Sequence, residues 1–177
     1  MTNKERRVDI IQDLDGNRVV VIHDVRFRGK RHINWDEVEE YLKQFVGESY
    51  VIDDTEDLIY IGADLPDEYT SSEYTISLKG TEAKAKANAA QGLPELIRVA
   101  SKKNHKRNTK AKHKWDARYG WYRYEVRFAL PVYDAEGMIE RYNVFHAFLV
   151  VRQGHDRKLY LYDLLRIKKE TGNTVMP

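Results

Sequence analysis

Between Lys112 and Arg127 the chain reads Lys-His-Lys-Trp-Asp-Ala-Arg-Tyr-Gly-Trp-Tyr-Arg-Tyr-Glu-Val-Arg, so basic side chains alternate with five aromatic ones. Cations neutralise a phosphate backbone, and flat rings stack on unpaired bases at about 1–3 kcal/mol per base, which suits single-stranded RNA. The candidate nucleic-acid contacts are Lys102, Lys103, Lys106, Arg107, Lys110, Lys112, Lys114, Trp115, Arg118 and Trp121. Cutting RNA without a metal needs a base for the 2′-hydroxyl proton, an acid for the leaving oxygen and cations for the pentacoordinate phosphate. His113 in the basic segment and His146 in a later apolar run are the candidate base and acid. Arg127 and Lys112 are the candidate phosphate stabilisers, with Tyr124 and Tyr162 positioning substrate. Each has a plainer alternative. His146 would be a satisfied core residue and His113 a solvated loop residue; Trp115, Tyr119, Trp121 and Tyr122 would form the rim of a sheet. Tyr160, Tyr162 and Asp163, candidates for a cleft opposite Arg127, would be ordinary strand residues.

Other chemistries lack their signatures. The chain has no GxxxxGK[ST], GxGxxG, HExxH or GxSxG string and no carboxylate spacing of EF-hand type, which argues against nucleotide-dependent phosphoryl transfer, zinc proteolysis and serine hydrolysis. Aspartates cluster between Asp53 and Asp67 but lack flanking histidines, so no metal and no cofactor is expected. Cysteine is absent, which removes disulfides and thiolate chemistry and is compatible with a reducing compartment. No run approaches the roughly 20 apolar residues of a membrane span, and a cytoplasmic protein without membrane contact is expected.

The net charge of +2 conceals an asymmetry. From Trp35 to Tyr74 thirteen acidic residues face one base, Lys43, whereas from Arg98 to Arg127 eleven bases face Asp116 and Glu125. Such a basic block can bind an external polyanion, dock on the acidic half of its own chain, or be a solvated helix face.

The elements that must position these residues follow from periodicity. Arg18 to Arg28 reads as extended, and Asn34 as the N-cap of a helix that buries Val38, Tyr41, Leu42 and Phe45 and ends at Gly47. Tyr50–Ile52 and Leu58–Ile61 form a hairpin around an acidic loop, and Gly62 to Thr81 reads as irregular. The alanine-rich Glu82–Gln91 is a surface helix, followed from Pro94 by a second helix that runs out into an exposed helix end or mobile loop over Lys102–Lys114. Strict alternation over Trp121–Pro131, an apolar run over Tyr142–Val151 and a third strand over Leu159–Ile167 give a β-meander. The expectation is a single α+β domain over residues 1–177, helices followed by a C-terminal antiparallel β-meander, with residues 1–17 a flexible arm and 170–177 a flexible tail.

The strings GWYRYEVRFALPVYD, RYNVFHAFLVVRQG and KLYLYDLLRIKKET resemble a module at the ends of large phage and conjugative-element proteins. These are the polyvalent-protein-associated domains and the phage relatives of the barnase–EndoU–colicin–RelE nuclease group. The likeness runs back through Leu58–Gly62 and Lys79–Gly92. Members of that group place helices before a four-stranded antiparallel meander and cut RNA without metal, using varied side chains. The resemblance therefore implies a metal-independent RNase-like toxin or effector of a mobile element, with an immunity protein as partner, and fixes no catalytic residue. Beside it stand a non-catalytic module that binds RNA or another nucleic acid, and a protein-interaction domain in which the acidic half meets the basic block of a second copy.

Overall fold

The computed structural model describes residues 6–29 and 32–177. In chain order these form β1 (Val8–Gln12), β2 (Arg18–Ile22), α1 (Trp35–Leu42), β3 (Ser49–Val51), β4 (Leu58–Tyr60), α2 (Leu65–Ser71), α3 (Glu73–Ser77), α4 (Gly80–Ala89), α5 (Leu93–Val99), β5 (Ser101–Lys106), β6 (Trp121–Tyr133), β7 (Ile139–Gln153) and β8 (Leu159–Val175). All eight strands join one sheet in the order β1-β2-β6-β7-β8-β4-β3, with β5 also pairing to β6.

The expected fold class is overturned. Strand outweighs helix, 39% against 27%, and the sheet is a curled, mixed half-barrel, not helices followed by an antiparallel meander. β6, β7 and β8 do pair antiparallel in sequence order, but they are the middle of the sheet. β2 pairs parallel to β6, and β4 pairs parallel to β8. One edge of β6 serves two partners in succession: β5 along Trp121–Glu125 and β2 at Phe128 and Ala129.

Alternation explains which face is covered. Tyr124, Val126, Phe128 and Leu130 of β6 are buried in the main core together with residues of α1, α2, α4 and α5, whereas Arg123, Glu125 and Arg127 between them are half-buried. A smaller apolar cluster, Val19, Val21, Ala129, Tyr142 and Val144, lies apart from it.

Four local expectations need correction. Val8–Gln12 of the expected arm is β1, paired residue by residue with β2, and β8 continues to Val175 through the expected tail; residues 1–5 of that arm lie outside the described residues. Gly62–Thr81 holds α2, with Pro66 in its first turn, and α3, capped by the Ser72 side chain. The alanine helix α4 is interior: Ala83, Ala85, Ala87 and Ala89 are all buried, because methyl side chains let its axis approach the sheet closely. Gly92, in the short turn that follows it, continues that contact, since a Cβ there would sit 3.1 Å from Val20 Cγ1.

The fourth concerns Ser101–Lys106, which is a strand and not a loop. Its backbone pairs with β6 although its side chains offer no apolar alternation, and its lysines guard the sheet edge. Likewise the extended run after Ile22 leaves the sheet, because Asn88 replaces a strand partner: its Oδ1 accepts from the N–H groups of Arg26 and Phe27 (2.9 and 3.0 Å), and its Nδ2 donates to the Phe27 carbonyl (3.1 Å).

Candidate nucleic-acid interface

The basic block divides at Lys106. On its N-terminal side the protein's own carboxylates take the cations: Asp53 accepts from Arg18 and Arg98 (2.9 and 3.1 Å), Asp57 from Lys103 (2.8 Å) and Glu125 pairs with Lys102 (2.9 Å). The acidic loop between β3 and β4 thus docks on the start of the block. From Lys106 onward the pattern changes. Lys106, Arg107, Lys110, Lys112, Lys114 and Arg118 are all exposed, and among the described residues none forms a salt bridge. Trp115 is 61% exposed and Tyr119 37% in the same stretch.

This platform, between β5 and β6, is built and not slack. Asn108 Oδ1 accepts from the Trp121 indole N–H (3.2 Å) and the Lys110 backbone N–H (3.1 Å). A 3-10 turn over Ala111–His113 then drives the His113 ring inward, leaving it 8% exposed. His113 Nδ1 sits 2.9 Å from Asp116 Oδ2, and the ring lies edge-on to Trp121 and Tyr162 at 5.0 and 5.5 Å. Gly120 closes the loop with φ +96°; a Cβ there would meet the Lys106 carbonyl oxygen at 2.5 Å, so only glycine fits.

The five candidate catalytic side chains fall into three places. His113 Nε2 faces the Tyr162 hydroxyl at 3.5 Å, too long for a strong hydrogen bond. Burial and the neighbouring Glu68 carboxylate push the Tyr162 phenol up from its ordinary value. Arg127 and His146 are direct partners across β6 and β7, and both are occupied. Arg127 donates to both oxygens of Glu170 at 2.8 Å each and to Asp13, while His146 Nε2 lies 3.2 Å from Glu125 Oε1. Tyr124 is fully buried, its hydroxyl donating to Asp57 (2.8 Å), and burial followed by that carboxylate raises its pKa well above the usual phenol range. Trp121 contacts His113 and Tyr162, yet stands six residues before Arg127 on β6, about 20 Å along a strand at 3.3 Å per residue. One phosphate cannot touch both pairs.

The cleft expected opposite Arg127 also differs. Across β7 the residue in line with Arg127 and His146 is Lys168, not Tyr160, Tyr162 or Asp163. Asp163 is 2% exposed and takes the ammonium of Lys86 (2.5 Å), which also donates to Thr75 Oγ1 (2.6 Å). A cavity of about 290 Å³ does open beside Arg127 and His146, lined also by Arg18, Asp54, Lys102 and Glu125, where β6 passes from β5 to β2. Within it Glu125 pairs with Lys102 and His146, while Arg18 and Arg127 are held by Asp53, Asp13 and Glu170 outside the lining. Among the described residues no group of three or more His, Asp or Glu side chains is placed to hold a metal ion, and no helix is long and apolar enough to cross a membrane.

Sequence reasoning missed the acceptors Asp53, Asp57 and Asp116 and the Lys86–Asp163 pair. Only His113–Asp116 had a local signal, its three-residue spacing on a tight turn. In comparisons with known proteins, no family model, no curated protein and no solved structure matches the chain, which leaves the chemistry of this surface as the guide to its ligand.

Proposed function

We propose that the protein is a nucleic-acid-binding module that holds RNA on the platform between β5 and β6. One observation carries this reading: six exposed cations between Lys106 and Arg118 have no carboxylate partner among the described residues, in a loop whose backbone is fixed by buried side chains. Such charge is stabilised by an external polyanion, which releases its counterions on binding. The resemblance to mobile-element domains accords with a module that tethers a phage or element protein to nucleic acid. Anisotropy titration of a labelled oligoribonucleotide tests it. Replacing Lys106, Arg107, Lys110, Lys112 and Lys114 together with Gln lowers affinity by at least about tenfold at moderate salt. Unchanged affinity contradicts the reading.

A metal-independent ribonuclease is the second reading, favoured by the Asp116–His113 pair with its second nitrogen turned to Tyr162. It predicts RNA cleavage in EDTA that disappears in His113→Ala; intact RNA with the wild-type protein removes it.

A further inference from the structure

The turn joining β7 to β8, residues 154–158, is stitched to the basic platform through its backbone. The His155 N–H donates to the Trp115 carbonyl (3.0 Å), the Tyr119 N–H to Gln153 (3.0 Å) and the Gln153 N–H to Gly120 (2.9 Å). Over this junction one arrangement recurs. Arg118 lies across the Trp115 ring at 5.7 Å, Arg157 across Tyr119 at 5.1 Å, Lys158 across Tyr60 at 5.0 Å and Arg152 across Tyr160 at 4.4 Å. The four couples are contiguous. Tyr60 and Tyr160 are register partners in β4 and β8 with ring centroids 5.8 Å apart, and Arg152 is the partner of Tyr160 on β7. The nearby acids are engaged locally: Asp156 accepts from the Tyr160 hydroxyl (2.6 Å), and Asp64 pairs with Arg152 (3.3 Å).

A core does not need this arrangement, since Trp115, Tyr119, Arg157 and Lys158 are all exposed. Nor does a duplex. Paired nucleic acid hides its base faces and offers phosphates and groove edges, for which cations alone suffice. Unpaired bases present faces that stack on aromatic rings and guanidinium planes, while neighbouring cations meet the phosphates between them. We infer that the nucleic-acid surface continues from Trp115 over the β7–β8 turn to Tyr60 and Tyr160, and that its ligand is a single strand with unpaired bases. This rests on the nucleic-acid reading above and adds to it a strand path and a selectivity.

Anisotropy with three probes of matched charge tests it: a single-stranded oligouridylate, an RNA duplex with the same number of phosphates, and polyglutamate. The single strand binds at least about tenfold more tightly than the duplex, because stacking on two or more rings is denied to the latter. Trp115→Ala and Tyr119→Ala each lower single-strand affinity by roughly fivefold or more and leave duplex affinity nearly unchanged. Arg157→Gln combined with Lys158→Gln lowers single-strand affinity at least about threefold, which places the turn on the strand path. Equal affinity for the two RNAs, both lost when the five loop cations are removed, overturns this inference and leaves the nucleic-acid reading standing. Absence of binding to either RNA overturns both. Polyglutamate bound as tightly as the oligouridylate shows a surface for acidic polypeptide and overturns it too.

Discussion

Arg127 shows at the scale of one residue how a cation that suits catalysis is consumed by the fold. Its guanidinium joins β6 to Glu170 on β8 and to Asp13 in the β1–β2 turn, and those hydrogen bonds hold both carboxyls below their ordinary range while raising the pKa of the arginine. A carboxyl whose pKa is depressed by folding contributes stability above its unfolded pKa and loses it as pH falls through the folded value. Arg127→Met removes the two-pronged contact to Glu170 and costs about 1–2 kcal/mol at neutral pH. It also makes the decline of stability below about pH 4 shallower, as urea titrations across pH would show. Tyr124 gives a second contrast. Tyr124→Phe removes a hydrogen bond to Asp57, which costs about 1–2 kcal/mol of stability and leaves RNA affinity unchanged, whereas a tyrosine touching RNA would alter binding with little change in Tm. The residue types of the basic segment were legible in the sequence. Their partners were not, because Asp13 and Arg127 lie 114 positions apart and nothing local encodes the pairing.

At the scale of elements, the helix α4 and strand β5 diverge most from their sequences. Alanine carries high helix propensity, but its periodicity shows no bulky face, and the helix becomes interior because small side chains admit close approach. The same approach brings Lys86 to Asp163, where burial depresses the lysine and raises the aspartate pKa against their mutual attraction. Breaking one half of such a pair strands a charge. Lys86→Met should cost about 3–5 kcal/mol, and adding Asp163→Asn should recover a substantial part of it, read as a double-mutant cycle in thermal or urea unfolding. Failure of the second change to restore stability would show that the pair is not the source of the loss. β5 escaped notice for the converse reason: its strand state comes from backbone bonds to β6, while its Ser-Lys-Lys-Asn-His-Lys side chains give no period. β6 was legible because one of its faces is buried and the other is not, which writes a two-residue period into the chain.

Across the whole molecule, folding sorts the two charged halves. Asp53, Asp57 and Glu125 neutralise the beginning of the basic block and leave the loop before β6 uncompensated, so the offered charge is smaller and more localised than the sequence suggests. The mixed sheet was not legible for a related reason: whether β2 and β4 join β6 and β8 in parallel is decided by contacts far apart in the chain. If the cations from Lys106 to Lys114 meet phosphates, RNA affinity falls steeply as salt rises. With roughly three to six phosphates neutralised, the slope of log affinity against log salt is about −2 to −4 for a single strand. Replacing the five loop cations with Gln makes it shallower by about 2 or more, whereas replacing Lys102 and Lys103, already held by Glu125 and Asp57, changes it by less than about 1. A slope that is unaltered when the loop charges are removed would show that those cations do not meet phosphates.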